Sequence, residues 1–256
     1  MSIVQYPVRS TDLPHNLGRK PARVPKKTRV YAIGDIHGRL DLLNQLLKTI
    51  AKDSADAPKR KVLVVLGDVI DRGPDSAGVV ARLSTLHTQP PFDGFKLHFL
   101  KGNHEQVMEA FLSGADDGRL WLKNGGIQTL ESYGVFKSDH TTEAYRADAL
   151  AHVPTPHRQF FQNMKVMHRE KDYAFVHAGV RPGVALDEQN AEDLLWIRTR
   201  FLEARDDFGA VVVHGHSPVC VPDVLDNRIA IDTRAWSSGT LTCLVLQNDE
   251  RRFLST

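Results

Sequence analysis

The sequence predicts an α/β protein in which a second β-sheet packs against the first. Two observations lead to this fold class. Between residues 29 and 112, short segments rich in Val, Ile and Leu alternate with segments whose apolar residues recur at helical spacing. After residue 165, short apolar segments follow one another, with one longer helical segment among them. The 256 residues suffice for one large domain or two small ones.

In the first half of the chain, β-branched segments predict strands, and apolar residues three and four apart predict helices. The helical pattern is clearest in the first helix, where Leu43, Leu46, Leu47 and Ile50 recur at such spacings. Gly114 is expected to end the third helix. The predicted strands are 29–33, 62–66 and 95–100, and the predicted helices are 40–50, 76–86 and 105–112.

The second half begins with a mainly helical region and ends in clustered strands. Residues 115–160 are expected to be helical, with breaks at Gly125-Gly126, Gly134 and Pro154, because glycine and proline interrupt helices. The remaining strands are expected at 165–168, 173–176, 211–213, 229–231 and 241–246, with one helix over roughly 188–203.

The N-terminal segment differs in composition from the rest of the chain. Residues 1–28 contain four prolines and few large apolar residues, so they cannot bury enough surface to offset the entropy of ordering. We expect a flexible basic arm over 1–28 and a catalytic domain over 29–256. Residues 1–29 hold seven Lys and Arg and one acidic residue, so the rest of this chain of net charge +2 is negative. That distribution argues against a nucleic-acid-binding body.

Cysteine content and hydropathy bear on the compartment. Cys220 and Cys243 are too few to define a disulfide framework, which fits a reduced cytosolic protein. No apolar segment reaches the ~18–20 residues needed to cross a bilayer. The N-terminus lacks the apolar region of a signal peptide. We therefore expect a cytoplasmic protein that does not bind membranes.

Five of the predicted strands end in the same way. Each delivers an Asp, Asn or His next to a glycine at its carboxyl end, the edge at which open α/β sheets place their ligand sites. Glycine permits sharp turns and close approach of the backbone to an ion. The five segments are Gly34-Asp35-Ile36-His37-Gly38, Gly67-Asp68-Val69-Ile70-Asp71-Arg72-Gly73, Gly102-Asn103-His104-Glu105, His177-Ala178-Gly179 and His214-Gly215-His216.

Mixed Asp, Asn and His donors suit divalent ions such as Mn²⁺, Fe²⁺ or Zn²⁺. Each segment alone has a structural explanation, as a turn, a helix cap or a buried histidine. Five of them in order at strand ends instead indicate a metal site. A structural zinc takes four ligands, more usually including cysteine. At least six candidates converge here, which suggests two ions.

As a set, these segments resemble the motifs of the calcineurin-like metallophosphoesterases, and among them the phosphoprotein phosphatases of the bacterial and phage lambda type. The resemblance covers about residues 29–247 and implies a four-layer α-β-β-α sandwich. Further matching fragments are Glu105-Gln106-x-Met108, Trp121-Leu122-x-Asn124-Gly125-Gly126, Trp196-x-Arg198, Gly215-His216-Ser217-Pro218 and Ile231-Asp232-Thr233.

The resemblance also implies a centre of two divalent metal ions, with Mn²⁺ the expected ion and Fe or Zn as alternatives. The implied ligands are Asp35 and His37 for the first ion, Asp68 as the bridge between the ions, and Asn103, His177 and His216 for the second ion.

For the substrate, the resemblance implies that Arg72, Arg198 and Asn103 bind the phosphate. Guanidinium suits this task because its planar fork matches two phosphate oxygens. His104, paired with Asp71, would protonate the leaving alkoxide, which has a high pKa and benefits from a general acid.

The charge of such a centre favours phosphate. Two divalent ions, the carboxylates of Asp35 and Asp68, and one hydroxide would leave a net charge of about +1, which attracts a phosphate dianion. A hydroxide held by the metal pair can attack phosphorus in line. We therefore expect a phosphomonoester hydrolase, in the first place a Ser/Thr phosphoprotein phosphatase, with dual specificity left open.

Two other functions remain open. A symmetrical diadenosine tetraphosphate hydrolase of the same fold shares His177-Ala178-Gly179, but more usually has Asp where this chain has Glu105. An inactive phosphate-binding module is disfavoured because every matched motif position holds the expected residue. The expected partner is therefore a phosphoprotein or phosphopeptide substrate, with a nucleotide as the alternative, and neither nucleic acid nor a membrane.

Some residues near the motifs allow more than one interpretation. Arg200 could replace Arg198 in binding phosphate, and Arg234 stands where the family more often has glycine. His214 is expected to be a supporting or surface residue. The histidines that match no motif are assigned no function; they are His15, His87, His98, His140, His152, His157 and His168.

Overall fold

The computed structural model describes residues 21–136 and 141–256, together with the backbone of residues 6–8. Two mixed β-sheets pack face to face, and helices cover the outer face of each sheet. This confirms the predicted α/β class and the four-layer α-β-β-α arrangement. Within the described ranges, no helix combines the length and apolar character needed to cross a membrane.

The strands are named in chain order. They are β1 (Tyr6–Val8), β2 (Thr28–Ile33), β3 (Arg60–Val65), β4 (Phe95–Phe99), β5 (Met167–Glu170), β6 (Tyr173–Val176), β7 (Val211–His214), β8 (Asp223–Val224), β9 (Arg228–Ala230), β10 (Thr242–Gln247) and β11 (Glu250–Ser255).

Each sheet contains a parallel centre. The first sheet has the order β1-β11-β10-β2-β3-β4, in which β2, β3 and β4 run parallel and the other neighbours run antiparallel. The second has the order β5-β6-β7-β9-β8, with β6, β7 and β9 parallel. The carboxyl ends of β2, β3 and β4 therefore point the same way, and the segments that follow these strands begin on one side of the first sheet. In the same way, the loops that follow β6 and β7 begin on one side of the second sheet.

The helices are also named in chain order, and a single π-helical turn over 122–126 joins the fourth helix to the fifth. They are α1 (Leu40–Asp53), α2 (Ser76–Ser84), α3 (Asn103–Ser113), α4 (Arg119–Trp121), α5 (Ile127–Ser132), α6 (Thr142–His152), α7 (Thr155–Gln162), α8 (Ala191–Trp196), α9 (Thr199–Leu202) and α10 (Ala235–Ser238).

Burial on both faces explains why β2 is a continuous apolar segment. Val30 and Ala32 face the second sheet, whereas Tyr31 and Ile33 face the helices, and all four are fully buried. Strands covered on both faces lose the alternation of apolar and polar residues that half-exposed strands show.

Several elements differ from the sequence prediction, among them β1, β8 and α10, which were not predicted. The single helix expected over 188–203 is two short helices, because Ile197 (ψ 139°) and Arg198 (φ −129°, ψ −105°) leave the helical conformation between α8 and α9. Strand β11 was not predicted, because it begins with three charged residues. One of them, Arg251, is nevertheless buried and donates a hydrogen bond to the Tyr173 hydroxyl (2.9 Å).

The basic arm predicted over 1–28 is only partly described by the structure. Most of residues 1–20 lies outside the described residues; the backbone of Tyr6–Val8 pairs antiparallel with β11. From residue 21 onward the chain packs on the domain. The Val24 side chain is buried, and the backbone N–H of Val24 donates to Asn248 O (3.0 Å). The backbone N–H of Arg23 donates to Asp172 Oδ2 (2.9 Å). The segment just before residue 28 is therefore part of the folded body.

Candidate metal centre and phosphate site

The polar residues at the five strand ends meet at one place between the sheets. Asp35 and Asp68 lie in the loops that follow β2 and β3, Asn103 is the first residue of α3 after β4, and His177 and His216 lie in the loops that follow β6 and β7. Glycines allow this approach, since a Cβ at Gly102 would collide with the Asp68 carboxylate and one at Gly215 with the Asp35 carboxylate. The sequence prediction that these residues converge agrees with their positions.

The backbone of the site is strained in a consistent way. Several of its non-glycine residues adopt the left-handed conformation, which bulky side chains seldom take and which clusters at functional sites. These residues are His37 (φ 46°), Asp68 (φ 47°), Asp71 (φ 73°), Arg72 (φ 68°) and His216 (φ 60°).

The first group of candidate ligands, cluster one, consists of His37, Asp68 and His104. Asp68 Oδ2 lies 3.6 Å from His37 Nε2 and 3.8 Å from His104 Nε2. His37 Nδ1 donates to Ile70 O (2.8 Å), which leaves the Nε2 lone pair facing the site. Burial lowers the pKa of His37 to about 3, so the ring is neutral and able to ligate a metal.

The second group, cluster two, consists of Asp68, Asn103, His177 and His216. His177 Nδ1 donates to Leu66 O (3.0 Å), and its Nε2 lies 3.4 Å from Asp68 Oδ1 and 2.9 Å from Asn103 Oδ1. Asn103 Oδ1 is also 2.8 Å from His216 Nδ1. Asp68 therefore presents one carboxylate oxygen to each cluster.

Two buried atoms at the site lack partners. Asp35 Oδ1 and His216 Nε2 have no hydrogen-bond partner among the described residues, although both are enclosed. Burial, together with the neighbouring charges of Asp232 and Asp68, raises the pKa of Asp35 well above its usual range. A buried carboxylate oxygen without a partner, close to two further carboxylates, is stabilised by a proton or by a cation. The imidazoles and the amide around it are metal donors, so the residues present fit divalent metal ions.

Asp35 is not a member of cluster one. Its Oδ2 accepts the N–H of His216 (3.0 Å), which fixes the loop that carries this histidine. His104 takes the third position near His37 and Asp68, although the sequence assigned it to protonation of the leaving group.

His104 and Asp71 form the pair that the sequence predicted. His104 Nδ1 lies 2.5 Å from Asp71 Oδ2, and Asp71 is fully buried. Trp121 Nε1 (2.8 Å) and Thr129 Oγ1 (2.5 Å) also donate to the Asp71 carboxylate and fix its orientation. Burial alone would lower the pKa of His104, but the charge of Asp68 and the hydrogen bond to Asp71 raise it to about 9.

The two predicted phosphate-binding arginines occupy different positions. Arg72 Nη1 lies 2.9 Å from His37 Nε2 and its Nη2 lies 3.2 Å from His104 Nε2, so its charge sits against cluster one. Arg198 is exposed in the break between α8 and α9. Trp196, two residues before Arg198, has its ring 6.4 Å from the His216 ring, so Arg198 lies in the segment next to cluster two. Arg200 is also exposed, in α9, and stays the alternative to Arg198.

Three features of the site were not predicted. Glu105 is fully buried and its carboxylate accepts the N–H groups of Asp68, Val69 and Gly102 at 2.7–3.0 Å. Its position three residues after the Gly102 helix cap is the sequence signal that could have suggested such a role.

The second feature is the burial of His214. The prediction that His214 could be a surface residue is wrong, because its side chain is fully buried and its ring lies against that of Phe201.

The third unpredicted feature is a groove beside the phosphate site. The Trp236 ring lies 5.6 Å from the Arg72 guanidinium and is 43% exposed. Arg39 anchors this region, because its Nη1 donates to Ala235 O (3.0 Å). The groove has a volume of about 610 Å³ and is lined by Arg39, Leu40, Asp41, Asn44, Arg72, Gly73, Pro74, Asp75 and Trp236.

The fold and this site define a phosphoesterase. The family profile of calcineurin-like phosphoesterases matches residues 28–231. The chain belongs to this family and is a hydrolase.

Named relatives fall into two groups by activity. Serine/threonine-protein phosphatase 1 of Salmonella typhimurium is 29% identical over 223 residues, which cover 85% of this chain and 92% of the relative. A symmetrical bis(5'-nucleosyl)-tetraphosphatase of an Acidovorax species is 33% identical over 159 residues, which cover 62% of this chain and 47% of the relative. Among solved structures, a cold-active protein-tyrosine phosphatase of a psychrophilic Shewanella has the same fold (TM-score 0.59, 20% identity, covering 89% of this chain and 79% of that one).

Proposed function

We propose that this chain is a phosphoprotein phosphatase that hydrolyses phosphate monoesters at a dinuclear metal centre. The observation that carries the proposal is the position of Asp68. It offers one oxygen to cluster one and the other to cluster two, with Arg72 and His104 alongside. In this proposal the ligands are those expected from the sequence: Asp35 and His37 for one ion, Asp68 for both, and Asn103, His177 and His216 for the other.

Divalent ions held there supply Lewis acidity, which activates water and offsets the negative charge of the phosphate. Mn²⁺ is our first choice, because oxygen and imidazole donors without cysteine suit it, and Fe²⁺ and Zn²⁺ suit the same donors. The chain contributes the geometry. The backbone carbonyls of Ile70 and Leu66 fix the tautomers of His37 and His177 so that each Nε2 faces the site.

The phosphate would be bound by Arg72, Arg198 and Asn103. Arg72 contacts cluster one and Arg198 lies in the segment next to cluster two, so the two arginines would approach a bound phosphate from different sides. Charge-assisted hydrogen bonds from both sides would orient a phosphate group and stabilise its charge as the ester bond breaks.

His104 would donate the proton to the leaving oxygen. Its Nδ1 is held by Asp71, so the remaining nitrogen, Nε2, faces the cluster. Asp71 is positioned by Trp121 and Thr129 and cannot turn away. A histidine oriented by a carboxylate is a standard general acid for an alkoxide leaving group.

A protein substrate agrees with the shape of the surface at the site. The groove beside Arg72 is bordered by both acidic and basic side chains, which can accept a peptide segment of mixed composition. A dinucleoside tetraphosphate is the second candidate. It is favoured by the Acidovorax relative and by the exposed Trp236 ring, on which a nucleobase can stack.

The test is a substrate panel in Mn²⁺. Peptides of one sequence that carry phosphoserine, phosphothreonine or phosphotyrosine are compared with diadenosine tetraphosphate by kcat/KM, and Asp68→Asn serves as the inactive control. We expect the phosphopeptides to be preferred. A preference for the dinucleotide selects the second candidate, and no hydrolysis of any compound rejects both.

A further inference from the structure

A second group of metal-ligating side chains lies away from the candidate centre, at the open edges of the two sheets. β4 is an edge strand of the first sheet, and β5 is an edge strand of the second. His98 on β4 and His168 and Glu170 on β5 each offer one ligand atom, and these atoms all lie within 4.8 Å of one another. None of the three belongs to a motif that the hydrolytic site uses.

The spacing of these atoms resembles that in the candidate centre. His168 Nε2 lies 3.1 Å from Glu170 Oε1, compared with 3.4 Å between His177 Nε2 and Asp68 Oδ1. The His98 ring stacks on the His168 ring with centroids 3.6 Å apart. Nitrogen and oxygen ligands about 2.0–2.2 Å from one zinc ion are separated from each other by similar distances.

Two of the three donors are in the chemical state that a metal requires. His98 makes no side-chain hydrogen bond to any residue in the described ranges. Burial, followed by the neighbouring His168, lowers the pKa of His98 to about 4, so its ring is neutral. Glu170 is buried; its Oε1 accepts from Arg60 (2.6 Å) and lies 3.1 Å from His168 Nε2, and its Oε2 accepts from Arg60 (2.8 Å). Oε2 can accept a second bond, so Arg60 orients the carboxylate while Oε2 keeps its capacity as a ligand.

We propose that His98, His168 and Glu170 form a site for one Zn²⁺ ion between the edge strands β4 and β5. Two imidazoles and one carboxylate are an established zinc donor set, and the fourth position is left for water. Such a site would reinforce the link that the backbone bridge between Leu100 and Lys165 already makes between the two sheets. It is independent of the hydrolytic function proposed above.

The experiment counts Zn²⁺ ions bound per chain. Metal-free full-length protein is dialysed against Zn²⁺, and the wild type is compared with His98→Phe, which keeps a ring for stacking but removes both ring nitrogens. Lys96→Ala is the matched control, because Lys96 lies two residues earlier on the same face of β4. We expect His98→Phe to bind one ion fewer than the wild type and Lys96→Ala to bind the same number.

A double variant checks that the histidines share one ion. His168→Phe alone, and His98→Phe with His168→Phe, should each lose the same single ion. The far-ultraviolet circular dichroism spectrum should match that of the wild type in every variant, which shows that each is folded. Equal Zn²⁺ binding by the wild type and both folded single variants, or loss of two ions in the double variant, overturns the proposal.

Discussion

Glu105 Oε2 accepts a hydrogen bond from the backbone N–H of Asp68 at 3.0 Å, so a buried helical side chain sets the position of the residue shared by both clusters. The other carboxylate oxygen accepts the N–H of Val69 (2.9 Å). Because Glu105 also binds the N–H of Gly102, the loops after β3 and β4 are tied to one carboxylate. The left-handed backbone at Asp68 depends on this anchor.

Glu105→Gln should destabilise the protein and weaken metal binding. The amide would direct N–H groups at backbone N–H groups, leaving at least one buried donor without an acceptor, at a cost of about 1–3 kcal/mol. Urea unfolding at pH 7 measures the loss. Glu109→Gln is the control on the same helix, since its partly exposed pair with Lys101 should contribute less than about 1 kcal/mol. Equal losses in the two variants would contradict the anchoring role.

Asp68→Asn should abolish turnover and weaken binding of both metal ions, because one oxygen faces each cluster. Asp35→Asn should mainly weaken one ion, because in the proposed ligand set Asp35 holds only the first ion. Calorimetric titration of the metal-free variants with Mn²⁺ separates the two binding events. A loss of the same single event in both variants would reject the bridging position of Asp68.

The sequence predicted the site better than it predicted the parts that hold it. Asp68 and Asn103 come within four residues of the ends of β3 and β4, so the rule that parallel strands of one sheet end at the same edge is enough to bring these two together. His177 follows β6 in the second sheet, and only the packing of the two sheets brings it to them. The contact of Trp236 with Arg72 joins residues far apart in the chain, and no local pattern encodes it. Strand β11 was missed because its charged residues are neutralised by tertiary partners, such as Asp53 for Arg252.

Arg198→Ala should lower kcat/KM for phosphopeptides by about 10–100-fold, the usual range for loss of a charge-assisted hydrogen bond to phosphate. Arg200→Ala, two residues away in α9, is the comparison and should change it little, because phosphate binding is assigned to Arg198. Inhibition by inorganic phosphate provides a second measurement, in which the inhibition constant should rise only for Arg198→Ala. If Arg200→Ala has the larger effect in both measurements, Arg200 and not Arg198 binds the phosphate.

Removal of the N-terminal segment up to residue 27 should lower the stability of the protein without lowering its turnover. A chain that begins at residue 21 should keep full turnover, because it retains Val24 and its contact with Asn248. A chain that begins at residue 28 should turn over substrate equally well but unfold more easily, by about 1.5–3 kcal/mol for the lost burial of one valine. Thermal unfolding and kcat are measured on both chains. Loss of most turnover in the longer of the two chains would place residues 1–20 in the active site.

The final prediction concerns His104, whose Nδ1 is fixed by Asp71 and whose Nε2 faces the cluster. If Nε2 delivers the proton to the leaving oxygen, His104→Asn should reduce kcat on phosphoserine peptides by about 10²–10⁴-fold, the usual contribution of acid–base help. The loss should shrink as the leaving group becomes more acidic, because nitrophenolate departs without a proton. kcat for a series of aryl and alkyl phosphates, plotted against leaving-group pKa, should therefore be steeper for the variant than for the wild type. Metal content, measured in the same preparations, distinguishes this role from ligation, since cluster one places His104 close to Asp68. Parallel plots for the two proteins, or loss of one metal ion in the variant, would reassign His104 from proton donor to support of the metal centre.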